Sequence, residues 1–567
     1  MHISNLKNEF YQPLIGNKIL LLVHYDVDAV CACKILQYLF RSDHISYTLV
    51  PVRGVEELKY AFLSFCKEVK YVLFVNCGGT IDLIDTLEPE NSIVFFVLDA
   101  HRPTDVCNVY SPDQVKLLVP RSDDEKIPHP SEIFRDESDE DDDDDDESGD
   151  EGDRQDRRRQ KAEEAMRKRR EKRQWEENRN HVLFSYTQYS YYGRSSAVVM
   201  YELAWRMSKD TNDLLWLAIV GATEQMLLAK VDYQRYVLET GFLQSHVQRL
   251  SHHSDNQSNE DDVGNILTGV KITFGKDLQL ALYRHWTVEA SLRYSRYSAT
   301  KLRLWTLRGE SKVQELLAEI GLPLVQSRQK FTSMNMILRK EFPESMEKLG
   351  EKYNMDRIMT ATFFLQYGYR GRFCAFDFVY GVLALLESRA KDKSLSTCFM
   401  EALDSLSRSN KHVLEDGIEK CKTILVSIFK QVQSLLEMRQ VISAGPFLYL
   451  VLQEGTLDVQ LYSSPLCLGL LAQFALEAYV GSSRSKKAAS QPLIASAPLD
   501  PEKGTCLLLG IPPVADESSN NFFGKAFEQA GERISARMNM DYFDTSIIQL
   551  KTEDRPKFLD ALTSLLL

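Results

Sequence analysis

Hydrophobic residues in the first hundred positions form four short, continuous runs, at residues 18–24, 46–52, 70–76 and 92–99. Continuous apolar runs of this length are typical of strands that are buried on both faces of a sheet. Helix-length segments separate the runs, at about residues 28–41, 54–66 and 80–87. This alternation predicts a parallel α/β sheet with helices packed on its faces.

The pattern changes farther along the chain. Two more helices are predicted, one in "YYGRSSAVVMYELAWRM", opening at Ser195, and one in "DLLWLAIVGATEQ". Residues 231–439 then have mainly helix-period spacing, and strand-like runs return after residue 442 in "GPFLYLVLQ", "QPLIASAP", "GTCLLLGIP" and "TSIIQL". We therefore predict an α/β protein with three parts: a parallel-sheet domain over 1–230, interrupted by a disordered charged insertion at about 132–180; an all-helical domain over 231–440; and a smaller α/β domain over 441–567.

The net charge of −13 is concentrated in that insertion. Residues 136–153 hold fourteen acids and no bases, so they must stay hydrated and cannot build a core. Residues 154–180 carry twelve basic and six acidic residues without an apolar stripe, which favours an exposed charged helix. This segment is either a solvated spacer that neutralises the acidic run or, through residues 157–159 and 167–173, a split nuclear-import signal. Ser138 and Ser148 have acids three residues downstream and are candidate phosphorylation sites.

Two other function classes are disfavoured by the sequence. The ten cysteines are scattered and form no CxxC pair, so neither a zinc site nor a disulfide framework is predicted. The longest apolar stretch, at about residues 466–480, includes Gln473 and Glu477 and is too short to cross a bilayer. The N-terminal residues lack the apolar region of a signal peptide, and we predict a soluble intracellular protein without membrane contact.

Polar side chains follow the ends of three predicted strands. Asp26 and Asp28 follow the first strand, Asn76 ends the third, and Asp99 and His101 close the fourth. In open parallel sheets the carboxyl ends of the strands share one edge, so these groups are expected to converge. Carboxylate and imidazole ligands suit Mn²⁺ or Mg²⁺, and two such ions can activate water against a phosphodiester.

The same residues carry a family resemblance. The segment "HYDVDAVCA" resembles the first motif of the DHH phosphoesterases, the family of the RecJ single-strand exonucleases, and "LDAHRP" stands where their Asp-His-His motif belongs. Farther on, "SSAVVMYEL" and "LAIVGATEQ" resemble the helix and last metal motif of that family. The resemblance implies that Asp26, Asp28, Asp99 and His101 descend from metal ligands.

Three departures from the family motifs change the expected chemistry. Asn76 stands in place of an aspartate, Ala100 in place of the first histidine of the Asp-His-His motif, and Gln225 in place of the last aspartate. Because these losses remove charge that would hold two dications together, we expect no functional metal, no cofactor and no catalytic residue, although one weakly held ion stays open. The surviving side chains are instead expected to cap helices and bond one another, with Asp28 as a helix N-cap.

A separate segment mixes basic and aromatic residues, as nucleic-acid and protein interfaces both do. Its members are Arg293, Tyr294, Arg296, Tyr297, Lys301, Arg303 and Trp305. Protein contact, ordinary packing and single-strand binding all remain open for it. Lys525, beside Gly524 near a predicted helix start, is a weaker candidate for holding a phosphate.

The intact "LLVHYDVDAVCACKIL" opening and the acidic-then-basic insertion resemble a eukaryotic replication-factor branch of the family most closely. That resemblance implies a nuclear, catalytically inactive scaffold, monomeric within a hetero-complex, that joins the minichromosome-maintenance hexamer and the GINS tetramer, with initiation factors, polymerases and single-stranded DNA as further partners. The sequence contains no GxxxxGK[ST] phosphate loop, so ATP hydrolysis is assigned to the hexamer. The alternatives are an active Mn²⁺-dependent single-strand exonuclease or phosphoesterase, and a scaffold without nucleic-acid affinity.

Overall fold

The N-terminal core is a five-stranded parallel sheet. The computed structural model describes residues 1–120, 125–135, 151–257, 270–367, 371–388, 393–483, 485–515 and 519–567. The strands are β1 (Ile19–His24), β2 (Tyr47–Val52), β3 (Tyr71–Val75), β4 (Val94–Leu98) and β5 (Val115–Leu117). Their order is β2-β1-β3-β4-β5 and every pairing is parallel. The predicted parallel sheet is confirmed, and β1, β3 and β4 are almost wholly buried.

Helices cover both faces of this sheet. On one face lie three mutually packed helices, α1 (Val27–Ser42), α2 (Ser196–Arg206) and α3 (Asn212–Leu227). Shorter helices follow the other strands, at Val55–Phe65, Leu83–Leu87 and Val106–Tyr110. Residues of α3 are apolar almost all round, from Leu214 to Ala222, which is typical of a helix buried on every side.

The charged insertion contains a long helix. A helix runs from Glu151 to Thr187, and its described side chains are largely exposed, as the absence of an apolar stripe predicts. The exposed charged helix predicted over residues 154–180 is confirmed, and the disorder predicted for the insertion at about 132–180 is corrected to that extent, because the segment is rich in strong helix formers. The acidic run at 136–150, with Ser138 and Ser148, lies outside the described residues.

The region between the two α/β parts is mostly helical. Its longer helices are Tyr233–Gln257, Val288–Tyr294, Arg296–Leu302, Leu307–Ile320, Met336–Gly350, Ala375–Leu386, Leu395–Ser405 and Lys411–Glu437. It also contains an antiparallel sheet of Val270–Leu278, Met359–Tyr367 and Gly371–Cys374. The prediction of an all-helical region is corrected in this respect. In the first strand buried Val270 and Ile272 alternate with more exposed neighbours, a weaker signal than a continuous apolar run.

The C-terminal part is a second α/β unit, as predicted. Six strands form one sheet, in the order Ile442–Ser443, Leu448–Val451, Leu493–Asp500, Thr505–Ile511, Ile547–Lys551 and Met538–Asn539. Its main helices are Pro465–Ser482, Phe523–Ile534 and Arg555–Leu566. Helix Pro465–Ser482 extends beyond the apolar stretch identified at about 466–480, so the prediction that it is too short to cross a membrane is corrected: by length and composition it could do so. It nevertheless packs between this sheet and helix Lys411–Glu437, as the core helix of a folded domain does.

The two α/β parts touch directly. Asp541 of the C-terminal part accepts hydrogen bonds at the start of helix Val55–Phe65, from the Val55 backbone nitrogen at 2.8 Å and the Glu56 backbone nitrogen at 2.8 Å. Gly54 permits this approach, since a Cβ there would lie 2.5 Å from the Asp541 carboxylate. A residue from one end of the chain therefore caps a helix near the other end.

Candidate functional site

Asp26 sits at the carboxyl end of β1 and begins α1. Its Oδ1 accepts a hydrogen bond from the Ala29 backbone nitrogen at 2.5 Å, and its Oδ2 lies 3.0 Å from Nδ1 of His24. Asp26 is thus the N-cap of α1, whereas the prediction gave that role to Asp28. The prediction was wrong because α1 already begins at Val27, which puts Asp28 inside its first turn.

Asp28 instead binds the start of a different helix. Its Oδ2 accepts from the Ser196 backbone nitrogen at 2.8 Å, and its Oδ1 accepts from the Ala197 backbone nitrogen at 3.0 Å and the Ser195 hydroxyl at 2.5 Å. The carboxylate satisfies free N–H groups at the positive end of the α2 dipole. Gly221 of α3 makes room, because a Cβ there would lie 2.6 Å from Asp28 Oδ1.

Asn76 joins the two carboxylates. Its amide nitrogen lies 3.1 Å from Asp26 Oδ1 and 3.1 Å from Asp28 Oδ2 and donates to both. Its amide oxygen accepts from the Ser196 hydroxyl at 2.5 Å. An ionised aspartate at this position has no hydrogen to donate and would add a third charge. The Asn76 amide therefore links Asp26 and Asp28 through hydrogen bonds, where an ionised side chain would repel both.

Asp99 and His101 form a second, separate pair at the end of β4. Asp99 Oδ1 lies 2.7 Å from His101 Nδ1 and accepts from the His101 backbone nitrogen at 2.9 Å. Its Oδ2 accepts from the Gly79 backbone nitrogen at 2.8 Å. Ala100, where the family motif has a histidine, is buried and offers only a methyl group. Burial alone would lower the pKa of His101, but Asp99 reverses this and raises it, while His101 and the backbone donors lower the pKa of Asp99 against its own burial.

Glu224 and Lys230 complete the cluster, and the sequence analysis missed both. Gln225 turns to the backbone, with its Nε2 3.3 Å from the Gly193 oxygen. Its neighbour Glu224 is fully buried and pairs with the Lys230 ammonium at 2.7 Å. The only sequence signal was an acid and a lysine six residues apart around the end of α3, a pattern too common to be informative.

The electrostatics of the cluster are dominated by burial and by this lysine. Burial raises the pKa of Glu224 to about 7, with added repulsion from Asp26 and Asp28, in spite of Lys230. Burial would also raise the pKa of Asp26, but the Lys230 ammonium and His24 lower it well below its usual value. Against its own burial, the pKa of Lys230 is raised by Glu224, Asp26 and Asp28.

These residues do not fit a pair of divalent cations. Asp28 receives four hydrogen bonds, from Ser195, Ser196, Ala197 and Asn76, which equals the roughly four lone-pair sites of a carboxylate. Throughout the described ranges, the one group of three metal-ligating atoms within 4.8 Å of each other lies elsewhere, at Asp82, Asp105 and Cys107. The positions that the sequence resemblance assigns to metal ligands are thus surrounded by protein donors and an ammonium.

A cavity of about 270 Å³ lies between this sheet edge and the C-terminal part. Asp26, His101 and Lys230 face it from one side, and Asp544 from the other. The Tyr192 hydroxyl bonds Asp544 at 3.0 Å, and Ser190 and Asn521 exchange backbone hydrogen bonds of 2.7 Å. These contacts tie the two walls together beside the carboxylates.

The basic and aromatic segment is largely engaged in packing. Trp305 is buried, and Tyr294 stacks on Trp286 with ring centroids 5.2 Å apart, so neither ring is free to stack on a base. The rest of the set is described by its partners: Arg293 pairs with Glu310, Arg296 with Gln473 and Glu477, and the Tyr297 hydroxyl accepts from the Arg357 backbone. Lys301 and Arg303 are the exposed members. Through Arg296, the segment therefore binds the middle region to helix Pro465–Ser482.

Lys525 also has a protein partner. Its ammonium lies 2.5 Å from Glu528 on the same helix, and a Cβ at Gly524 would lie 2.3 Å from the Thr545 hydroxyl oxygen. Gly524 is accordingly required for close packing against Thr545. This packing accounts for the glycine without any bound phosphate.

Comparison with known proteins identifies the family. A family model described as CDC45 matches residues 19–152 and 122–565. The cell division control protein 45 homolog of Homo sapiens is 44% identical over 569 residues, covering 100% of both chains, and cell division control protein 45 of Saccharomyces cerevisiae is 28% identical, covering 95% of this chain and 94% of the yeast protein.

Solved structures support the fold. The crystal structure of CDC45 from Entamoeba histolytica matches with a TM-score of 0.70 at 23% identity, covering 100% of both chains. Exonuclease RecJ bound to manganese covers 99% of this chain and 92% of its own, at 12% identity, with a TM-score of 0.41 that is too low to carry an argument. With a family model over most of its length and a relative 44% identical throughout, the chain belongs to the CDC45 family.

Proposed function

We propose that the protein is a catalytically inactive scaffold subunit of the eukaryotic replicative helicase, acting in the nucleus in initiation and elongation of DNA replication. The observation that carries the proposal is the saturation of Asp28 by four internal donors. A carboxylate whose lone pairs are all occupied cannot also bridge two metal ions. The sheet edge therefore supports structure rather than phosphodiester hydrolysis.

Family membership supports the choice of process and partners. The relatives bear the name cell division control protein 45, and the helicase role follows from the resemblance of the opening motif and the insertion. The partners would be the minichromosome-maintenance hexamer, the GINS tetramer, initiation factors and polymerases, with this chain as a monomer among them. The basic residues at 157–159 and 167–173 would serve nuclear import.

The middle region, 231–440, is the proposed contact surface. Four large apolar side chains are exposed within one short segment of it: Leu324, Val325, Met336 and Ile337. The surrounding residues 320–340 contain four basic and no acidic residues in a chain of net charge −13. Exposed apolar groups with one sign of charge are typical of protein-binding surfaces, which favours an acidic, partly apolar partner segment.

Single-stranded DNA is a second proposed ligand, held by phosphate contacts. Exposed Lys301 and Arg303 support backbone attraction, whereas the buried Trp305 argues against base stacking in this segment. We expect binding that weakens steeply as salt rises. If no binding of single strands is detected even at 50 mM salt, the result would favour a scaffold without nucleic-acid affinity.

One experiment separates the scaffold from an active Mn²⁺-dependent exonuclease. Purified protein is titrated with Mn²⁺ by calorimetry and incubated with end-labelled single strands, alongside Asp26→Ala. We expect no binding of two ions and no shortening of the strands. Tight binding of two ions, with turnover that disappears in Asp26→Ala, would refute the proposal.

Cross-linking mass spectrometry of the native complex tests the partner assignment. Inter-protein cross-links are expected to concentrate in residues 231–439, because this region carries the exposed apolar and basic segment at 320–340. Cross-links confined to the two α/β parts would overturn the contact surface and leave the inactivity of the sheet edge unaffected.

A further inference from the structure

A buried carboxylate without a partner lines the cavity between the two α/β parts. Glu387 follows helix Ala375–Leu386 as its C-cap, and only 8% of the residue is exposed. Its Oε2 is buried and has no hydrogen-bond partner within the described part of the chain. Because an unpaired buried charge is costly, a carboxylate in this position calls for a donor. The cavity of about 270 Å³ that Glu387 lines has room for one.

The other two acids on the cavity wall have protein partners. Asp26 lies 3.0 Å from His24, and Asp544 accepts a hydrogen bond from the Tyr192 hydroxyl at 3.0 Å. Glu387 is therefore the acid of this wall for which the described residues offer no donor to Oε2.

The lysine and the arginine on the wall are engaged with other groups. The Lys230 ammonium pairs with Glu224 at 2.7 Å, and the Arg53 guanidinium lies 4.9 Å from the centre of the Tyr25 ring. Neither forms an ion pair with Glu387 within 4.0 Å. The negative charge of Glu387 thus stays open to a ligand.

Much of the remaining wall is apolar, and a glycine enlarges the space. Gly469 lies inside helix Pro465–Ser482, where glycine is less favourable than alanine. A Cβ at this position would meet Leu509 at 3.6 Å, which is an ordinary contact, and the backbone does not have a positive φ. Neither packing nor backbone conformation therefore requires glycine here, and the absent side chain leaves volume to the cavity. The apolar lining residues are Leu466, Leu470, Leu499, Leu509 and Ile511.

We propose that this cavity binds a small organic cation, in which an ammonium group bonds Glu387 and an apolar or aromatic body lies against the leucine-rich wall beside Gly469. The ammonium would supply the donor that the buried carboxylate lacks, in a charge-assisted hydrogen bond. The volume of about 270 Å³ lies just below the range of about 300–1,000 Å³ that is typical of sites for drug-sized ligands, which indicates a smaller compound. This inference goes beyond the scaffold function and does not depend on it.

Other classes of ligand match the wall less well. A hard metal ion such as Mg²⁺ or Ca²⁺ requires several oxygen ligands, whereas the carboxylate here stands alone beside leucine side chains. An anion would be repelled by the unpaired charge of Glu387. Water alone could fill the space, and the titration below distinguishes that case.

Calorimetric titration of the full chain at neutral pH tests the proposal with three probes of similar shape. Phenethylamine carries the ammonium, phenethyl alcohol is its neutral counterpart, and phenylpropionate is the anionic one. We expect the amine to bind with a Kd of about 1 mM or tighter, and the alcohol and the acid to bind at least about tenfold more weakly. No binding of the amine up to about 10 mM, as expected if water alone fills the cavity, would overturn the proposal. Equal binding of the amine and the alcohol would overturn it as well.

Two variants locate the bound amine. Glu387→Gln keeps the shape of the side chain and should weaken amine binding at least about tenfold without lowering the melting temperature, since it removes an unpaired buried charge. Glu401→Gln is the matched control, because Glu401 bonds Lys393 and does not line the cavity; this variant should bind the amine as the wild type does. Unchanged amine binding in Glu387→Gln would refute the assignment.

Gly469→Leu tests the cavity independently of the charge and covers a failure of Glu387→Gln to fold. The leucine side chain should occupy the space beside Leu509 and abolish amine binding, while the melting temperature stays the same or rises. Amine binding that persists in Gly469→Leu at the wild-type affinity would place the amine elsewhere and overturn the proposal.

Discussion

Replacing Asp28 with alanine tests whether this residue is now a structural cap. The change removes the acceptor of the Ser196 and Ala197 backbone N–H groups, which lie 2.8 and 3.0 Å from it. Each orphaned buried donor costs about 1–3 kcal/mol, and relief of repulsion from Asp26 returns about 1 kcal/mol. We therefore expect the free energy of local unfolding at the start of α2 to fall by about 3 kcal/mol.

Hydrogen exchange is the suitable assay, because a chain of several domains does not unfold in one step. A loss of about 3 kcal/mol corresponds to amide exchange about a hundredfold faster at Ser196 and Ala197 if exchange follows local opening. Asp82→Ala is the matched control, since Asp82 caps the short helix Leu83–Leu87 near the surface with bonds of 3.0 and 3.2 Å. That cap should cost only about 1 kcal/mol.

The outcome that would refute the reasoning is an Asp28→Ala variant whose α2 amides exchange no faster than those of the wild type. We would expect that result if Asp28 no longer supported the structure, because its removal would then only relieve the cost of a buried charge. Asp28→Asn should be nearly as damaging as alanine, since one of its two acceptor positions becomes a donor facing N–H groups.

Three further predictions concern other residues. Gly221→Ala should destabilise α3 by about 1–3 kcal/mol in local amide exchange, because its Cβ would lie 2.6 Å from Asp28 Oδ1; Gly241→Ala, with open space around it, is the control and should be neutral or stabilising. The stability difference between the wild type and Asp99→Asn, measured by amide exchange at Gly79 and His101, should be bell-shaped across pH 3–9. Because the pKa of Asp99 is lowered in the folded protein, the stability that it contributes is lost as pH falls below about 4. Because the pKa of His101 is raised, the stability that it contributes is complete below about pH 6.5 and is lost as pH rises above that value. A stability difference that does not change with pH would contradict the ion pair. Val325→Glu with Ile337→Glu should reduce cross-links to partner proteins at least severalfold without lowering the melting temperature, whereas alanine at both positions should reduce them less; unchanged cross-links would exclude Val325 and Ile337 from the interface.

The sequence predicted what depends on local pattern. Strand β1 was expected at 18–24 and lies at Ile19–His24, because burial on both faces produces an unbroken apolar run. The sheet at Val270–Leu278 was missed because its half-exposed strand carries Lys271, Gly275 and Lys276, which weaken any strand signal.

The site was predicted less completely than the sheet. Asp26, Asp28 and Asn76 were expected to meet and do so, since parallel strands share one edge. The pairing of Lys230 with Glu224 could not be predicted, because it depends on where the turn after α3 places the lysine side chain. The alternatives for Trp305 stayed open for the same reason: a tryptophan amid basic residues has the same sequence signature whether it faces solvent or, as here, is buried.

The contact between Asp541 and helix Val55–Phe65 has a consequence for synthesis of the chain. Asp541 follows Glu56 by 485 residues. At about 5–20 residues per second, the ribosome delivers it roughly 25 to 100 s after the helix that it caps. During that interval the helix start has no side-chain acceptor from Asp541, and the wall of the cavity that carries Asp544 has not been made. The cleft can therefore form only after the last strands have been translated. A prematurely terminated chain would leave the carboxyl edge of the parallel sheet uncovered and accessible to the cell's quality-control proteases.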